Sequence, residues 1–388
     1  MSRPADQRTR TVRAALDSDT QYGAVVPALH LTSTFTFEAF GVKRKYDYSR
    51  SGNPTRDALA EALADLEGGA AAIVTATGMA AVTLCAHLCK AGELVLVPRD
   101  CYGGTFRLFT ALARQGLLRV EFIDPTDLAA FTAALAARPR MVWLETPSNP
   151  LLRITDLAAT SALARAAGAL VVVDNTFLSP LWQQPLALGA DIVIHSTTKY
   201  LNGHSDIVGG AVVAKSKELA TELGWWANCL GLTGAPFDSF MTLRGLRTLH
   251  ARLGVHAMNA EAVAATLVRH PAVSQVYYPG LASHPGHALA ARQQRGFGAM
   301  VSFELRGGVG AVEACVNGLE YFSLAESLGG VESLVAHPGT MTHAAMDPQA
   351  RARAGISDSL LRLSVGIEAT EDLVDDLVAG LDRAAARA

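Results

Sequence analysis

Hydrophobic positions in this chain follow two periods. Between residues 70 and 215, short apolar runs recur at Ala71–Thr75, Leu94–Val97, Val120–Ile123, Met141–Glu145, Leu170–Asp174, Ile192–His195 and Ala211–Ala214. Most are continuous rather than alternating, which predicts strands buried on both faces. Helical spacing fills most of the gaps, around 78–90, 103–115, 127–137 and 156–167. The alternation predicts an α/β domain with a mostly parallel, seven-stranded sheet between helical layers. Just before it, Asn53-Pro54 reads as an N-cap with proline at the first helical position. Leu59, Leu63 and Leu66 form one face of that helix, and Gly68-Gly69 end it.

After about residue 240 the rhythm changes. A long helical pattern from Phe240 to about His270 leads into strand candidates Met300–Leu305 and Leu360–Ser364, separated by helices. This predicts a smaller α+β C-terminal domain. Residues 1–50 read instead as an irregular arm, with Gly23, Pro27 and Gly41 among the aromatics Phe35, Phe37, Phe40, Tyr46 and Tyr48. Such an arm is too apolar to stay in water and is expected to pack on something, either the rest of this chain or another subunit. The expected division is therefore arm 1–50, large domain 51–245 and small domain 246–388.

Composition narrows the function classes. The 388 residues are half hydrophobic, and the net charge of −3 comes from intermixed acids and bases. That leaves no electrostatic footprint for nucleic acid or an anionic membrane. Cys85, Cys89, Cys101, Cys229 and Cys315 have no zinc-ligand spacing, and His204, His337 and His343 read as loop histidines. Reduced thiols and no bound metal are expected. The N-terminus, with Arg3, Asp6, Arg8, Arg10 and Arg13, lacks the apolar centre of a signal peptide, and no apolar stretch of about 18 residues occurs. A cytoplasmic protein is expected.

The polar residues of interest sit where these strands end, the position at which parallel α/β sheets bind ligands. Thr77-Gly78-Met79 opens a helix after the first strand, suiting either a tight turn or a phosphate at the free N–H groups. Tyr102, in Asp100-Cys101-Tyr102-Gly103-Gly104, suits either packing or stacking on a planar ring. Asp174 ends a run of three valines, and either caps the following turn or pairs with a protonated pyridine nitrogen. Lys199, in Ser196-Thr197-Thr198-Lys199, has a stronger functional reading. Lysine rarely stays buried, and desolvation moves its amine toward the neutral, nucleophilic form. Ser196 and Thr198 add hydroxyl donors for phosphate. Together these residues point to pyridoxal phosphate (PLP) in a Schiff base with Lys199. Arg362, on the apolar strand Leu361-Arg362-Leu363-Ser364, suits a bidentate clamp on an amino-acid carboxylate.

Five stretches carry a family resemblance: Tyr48–Arg56, Glu145–Pro150, Val173–Phe177, Ser196–His204 and Leu324–Ser333. They resemble the Cys/Met-metabolism PLP enzymes, the trans-sulfuration family, and most closely its bacterial cystathionine γ-synthase branch. The resemblance runs from Tyr22-Gly23 to Gly366-Ile367-Glu368. It implies a PLP-dependent transferase fold of type I and a homotetramer made of two dimers that share active sites. Tyr48 and Arg50 would then reach the cofactor phosphate of the neighbouring subunit. Gly78, Met79, Ser196 and Thr198 would hold the phosphate, Tyr102 would stack on the ring, and Asp174 would pair with its nitrogen. Lys199 and Tyr102 would carry protons, Tyr102 if nearby cations lower its pKa. Arg362, Ser327 and Asn149 would meet the substrate carboxylate, with Glu326, Arg107 and Tyr46 near the rest of the substrate.

The implied reaction replaces the acyl group of O-succinyl-L-homoserine, or another O-acylhomoserine, with L-cysteine to give L-cystathionine. The alternative is γ-lyase cleavage of cystathionine to cysteine, 2-oxobutanoate and ammonia. Glu326 in Leu324-Ala325-Glu326-Ser327 matches the γ-synthase and γ-lyase pattern. Trp225-Trp226-Ala227-Asn228 matches the bacterial γ-synthases. Ser51 departs from synthases that use a succinyl donor, which tend to carry a second arginine there. Succinyl recognition would then rest on Arg107 or on Lys43, Arg44 or Lys45.

Overall fold

The computed structural model describes residues 5–344 and 346–387. Arg3 of the predicted arm lies outside them. Seven strands form the larger sheet: β1 (Ala71–Thr75), β2 (Leu94–Pro98), β3 (Arg119–Ile123), β4 (Met141–Glu145), β5 (Leu170–Asp174), β6 (Ile192–His195) and β7 (Gly210–Ala214). Their order is β1-β7-β6-β5-β4-β2-β3. From β3 across to β6 all pairings are parallel, whereas β7 runs antiparallel to both β6 and β1. That reversal carries Gly209-Gly210 to the edge where β5 and β6 end. Both faces are buried, as the continuous apolar runs require. On β4, Val142 and Leu144 enter one core while Met141 and Trp143 enter the other.

A short helix in the arm, α1 (Gln7–Val12), precedes α2 (Pro54–Glu67). The expected caps hold α2: Asn53 Oδ1 accepts from the Thr55 and Arg56 N–H groups, and Gly68 closes it at φ 74°. Helices α3 (Gly78–Ala86), α4 (Gly103–Arg114), α5 (Leu128–Leu135) and α6 (Leu157–Ala166) connect the strands, and α7 (Ser179–Trp182) is a single turn. Helix α8 (Lys217–Leu230) lies outside the helices predicted from the sequence. Its signals are ordinary, with the Ser216 hydroxyl accepting from Leu219 N–H and Gly231 ending it in the left-handed region.

The long helix expected from Phe240 to His270 is two helices, α9 (Pro236–Leu246) and α10 (Leu249–Arg269). The Gly245 carbonyl explains the break. It accepts from the Thr248 N–H, the Thr248 hydroxyl and Arg252 Nη2 (2.9 Å), so it is withdrawn from the helical ladder. Any side chain at Gly245 would strike the Asn202 carbonyl, with a Cβ 2.1 Å from its oxygen. Beyond α10, a second sheet contains β8 (Val273–Tyr277), β9 (Met300–Leu305), β10 (Ser323–Leu324), β11 (Leu334–Ala336) and β12 (Leu360–Ser364), in the order β10-β11-β12-β9-β8. Helices α11 (His287–Gln293), α12 (Gly308–Val316), α13 (Pro348–Ala354) and α14 (Thr370–Ala385) accompany it. Amphipathic α14 buries Leu373, Leu377 and Leu381 on the side that packs against α12 and α10.

The arm keeps its apolar side chains outward. Tyr22, Val25, Leu31 and Phe40 are exposed, and the bridges Thr34–Tyr48 and Ala39–Val42 are its only sheet-like contacts among the described residues. No described helix is long and apolar enough to cross a membrane.

Candidate active site

A cavity of about 560 Å³ opens where β4, β5 and β6 end, between the two sheets. Its centre is the Lys199 ammonium, which donates to Ser327 Oγ at 2.6 Å. Burial, and next the Arg362 charge, hold its pKa down to about 8. Ser327 reaches this position from a left-handed backbone, φ 88°, that L residues seldom adopt. The same residue offers its carbonyl to Arg362 Nη2 at 2.9 Å, and Asn149 Oδ1 accepts from Nη1 at 2.9 Å. Arg362 is buried on β12, and its hydrogen-bond partners among the described residues, Asn149 Oδ1 and the Ser327 carbonyl, include no carboxylate. Among the described residues nothing accepts from its Nε. A fork fixed on one side and free on the other is what a carboxylate ligand would complete. Buried His343 supports the arrangement through Nε2, 3.0 Å from the Asn149 carbonyl. Burial and Arg362 lower its pKa to about 4, so it is neutral. Sequence reading treated His343 as an ordinary loop residue, and only the fold brings it to Asn149.

The opposite end of the cavity suits a phosphate. Thr77 caps α3 through its hydroxyl, which accepts from Ala80 N–H at 2.8 Å. The first two amides of the helix, Gly78 and Met79, have no intrahelical partner and open on the cavity. A Cβ at Gly78 would lie 2.8 Å from Ser196 Cβ, so only glycine lets these two segments close into a cradle. Thr198 also lines the cavity, with its hydroxyl bonded to the Gly209 backbone at 3.0 and 3.2 Å.

Between these ends lie Tyr102, Asp174 and Glu145. Tyr102 precedes α4, and Gly104 makes room for its ring, since a Cβ there would stand 2.5 Å from the ring edge. Asp174 both caps the next turn, through Thr176 N–H at 2.9 Å, and opens on the cavity. The capping reading is thus met, and the residue is also placed at the cavity wall. Burial raises its pKa despite the Thr176 bonds. Glu145 was not singled out from the sequence. It is the register partner of Asp174 on the adjacent strand and accepts from Tyr102 N–H at 2.8 Å.

Not every expected site residue reaches the cavity. Arg107 and Glu326 line its mouth. Tyr46, Tyr48 and Arg50 stand outside it within one chain. Arg50 Nε donates to Asn228 Oδ1 at 3.0 Å, and Tyr46 packs on Phe35. The condition for proton transfer by Tyr102, a pKa lowered by nearby cations, is not met. Burial and then Glu326 raise that pKa, outweighing Arg107 and Arg362.

A phosphate cradle, a desolvated lysine, a carboxylate facing the middle of the cavity and a half-free arginine fit PLP and an amino-acid substrate. The sequence profile of the Cys/Met metabolism PLP-dependent enzymes matches residues 8–382. The chain belongs to that family. PLP is the cofactor of the family, as the lysine and cradle independently suggest. Among relatives, the cystathionine γ-synthase of Escherichia coli is 56% identical over 96% of this chain and 97% of its own. A cystathionine β-lyase of Lactococcus lactis is 46% identical over 97% of this chain and 99% of its own. In structure, the cystathionine γ-synthase of Xanthomonas oryzae, solved with aminoacrylate and cysteine, superposes with a TM-score of 0.98 at 62% identity, covering 100% of both chains.

Proposed function

We propose that this family member is a cystathionine γ-synthase, which joins an O-acyl-L-homoserine to L-cysteine to give L-cystathionine and the free acid. In the net reaction the Cγ–O bond of the acyl donor breaks, a Cγ–S bond forms, and the thiol proton leaves with the carboxylic acid. The observation that carries the reading is the meeting of Lys199, Ser327 and Arg362. One residue, Ser327, touches both the amine and the guanidinium, so a substrate carboxylate on Arg362 brings its Cα toward Lys199.

When bound, PLP supplies the electron sink for charge that develops on the substrate carbons. Lys199 would hold it, and the same amine, whose pKa burial brings to about 8 in the cofactor-free protein, would take the proton from the substrate Cα and return protons to the neighbouring carbons. Arg362 orients the substrate through its free Nε–H and remaining Nη–H. Gly78, Met79, Ser196 and Thr198 would hold the phosphate end. Tyr102 would cover the ring face, and Asp174 would meet the ring nitrogen. Of the four cations considered for a succinyl group, Lys43 is paired with Asp47 at 2.6 Å, Lys45 sits 5.1 Å from the Tyr46 ring, and Arg44 is not among the cavity-lining residues. Arg107 lines the cavity, so it is assigned the distal carboxylate.

The exposed apolar arm supports packing on a second copy, with Tyr46, Tyr48 and Arg50 completing the neighbour's site in a homotetramer of two dimers. The division into arm 1–50, large domain 51–245 and small domain 246–388, and a cytoplasmic location, are part of the same reading. Comparing kcat/KM for O-succinylhomoserine plus cysteine with kcat/KM for cystathionine alone tests the function. γ-Replacement should dominate, and faster release of 2-oxobutanoate from cystathionine would assign the protein to γ-cleavage instead.

A further inference from the structure

The Glu145 carboxylate has no part in the chemistry above, yet it is buried, lines the cavity, and stands at the end of β4 in register with Asp174 at the end of β5. Register partners on parallel strands project from the same face of the sheet. Each oxygen of Glu145 has one N–H donor: Tyr102 N–H on Oε2 at 2.8 Å and Trp143 Nε1–H on Oε1 at 3.2 Å. Two carboxylates so placed at one wall of the cavity, neither of them in an ion pair among the described residues, resist ionising together.

We propose that Glu145 and Asp174 together store the proton that the cofactor's ring nitrogen carries once bound. The inference rests on the assignment of Asp174 to that nitrogen. In the cofactor-free protein the pair holds one proton and one negative charge. On uptake of the neutral ring, the carboxyl O–H bond breaks and an N–H bond forms. Both carboxylates are then ionised against one ring cation. Glu145 thus acts through Asp174, as a positioning residue for a proton and, by its bond to the Tyr102 N–H, for the stacking ring.

The surroundings agree with one stored proton. Burial and then Asp174 push the Glu145 carboxyl well above its ordinary range. Burial likewise raises Asp174. The other groups facing Glu145 are Asp100, Cys101 and Tyr102, and those facing Asp174 are Cys85 and His195. Of these, Asp100 is an acid occupied by Ser148 Oγ at 2.6 Å and by Arg153. His195 is tied to Glu67 at 2.7 Å. Burial raises both thiols, which keeps them neutral.

The test is a proton inventory of PLP uptake by the cofactor-free protein, above the pKa of the free ring nitrogen. Titration calorimetry in two buffers of different ionisation enthalpy reports protons taken from solution. Glu145→Gln keeps the size of the side chain but removes the shared proton. It should take up about one more proton than the wild type, and by linkage its PLP Kd should rise about tenfold more per pH unit over that same pH range. Glu145→Asp keeps the acid and should restore the wild-type proton count while holding Tyr102 less well. Equal proton counts and equal pH slopes in wild type and Glu145→Gln would overturn the proposal. Asp174→Asn separates the two readings. If it leaves PLP affinity and the absorbance of the bound cofactor unchanged, the assignment of Asp174 is wrong. If it alters both while Glu145→Gln alters neither, only the stored proton is wrong.

Discussion

Replacing Lys199 with Met should make the cofactor-free protein more stable at neutral pH. The fold lowers the Lys199 pKa from 10.5 to about 8, chiefly by burial and next by Arg362. At roughly 1.36 kcal/mol per pH unit, that change corresponds to about 3 kcal/mol by which the folded state disfavours the ammonium. Below pH 8 both folded and unfolded chains hold the proton, and the whole penalty is present. Between pH 8 and 10.5 the unfolded chain still binds a proton that the folded chain has released, so wild-type stability rises with pH. Met fills similar space without charge, but leaves the Ser327 hydroxyl without its 2.6 Å partner, a loss of about 1 kcal/mol. The variant should therefore lead by about 2 kcal/mol at pH 7. It should lose that lead by pH 10 to 10.5. Urea unfolding of both cofactor-free proteins, followed by tryptophan fluorescence, measures the difference at each pH. A difference that does not change with pH, or a variant less stable at pH 7, would refute the claim that this lysine is held against its charge.

Other substitutions probe the rest of the cavity. Arg362→Lys keeps the charge but loses the fork, so kcat/KM for both amino-acid substrates should fall about 100-fold or more, while the absorbance of the bound cofactor stays unchanged. Gly78→Ala forces its Cβ to within 2.8 Å of Ser196 Cβ. PLP titration of the cofactor-free variant should show at least roughly tenfold weaker binding as the phosphate cradle opens. Arg107→Ala should depress kcat/KM about tenfold for the succinyl donor and much less for the acetyl donor, which has no distal carboxylate. Equal losses on both donors would remove Arg107 from that role.

The sheet was legible because its strands are buried on both faces, which leaves unbroken runs such as Val171-Val172-Val173 that resemble no surface helix. Lys199 and Arg362 were legible for a related reason, since each is a cation placed inside an apolar strand or at its end. The break between α9 and α10 was not legible. It depends on Arg252 and Thr248 competing for the Gly245 carbonyl and on the Asn202 backbone pressing on that glycine. Glu145 was missed for the same kind of reason. Its importance lies in its register with Asp174 and in a bond to Tyr102, 43 positions earlier, and neither is a local pattern. Ser327 and Asn149 came from family likeness alone, because a serine in a loop has no chemical mark until the fold sets it between an amine and a guanidinium. The Tyr102 pKa went the other way from expectation because the sequence shows nearby cations but not how much water the ring loses.

The outward-facing arm has a genetic consequence. If Tyr48 and Arg50 serve the neighbour's cavity while Lys199 serves its own, lesions at these positions belong to different halves of a composite site. A chain carrying Arg50→Ala and a chain carrying Lys199→Ala would each be inactive as a pure assembly. Co-expressed, they would form mixed dimers in which one of the two cavities receives an intact arm and an intact lysine. Activity would reappear without any wild-type subunit, and its level would follow the fraction of mixed dimers.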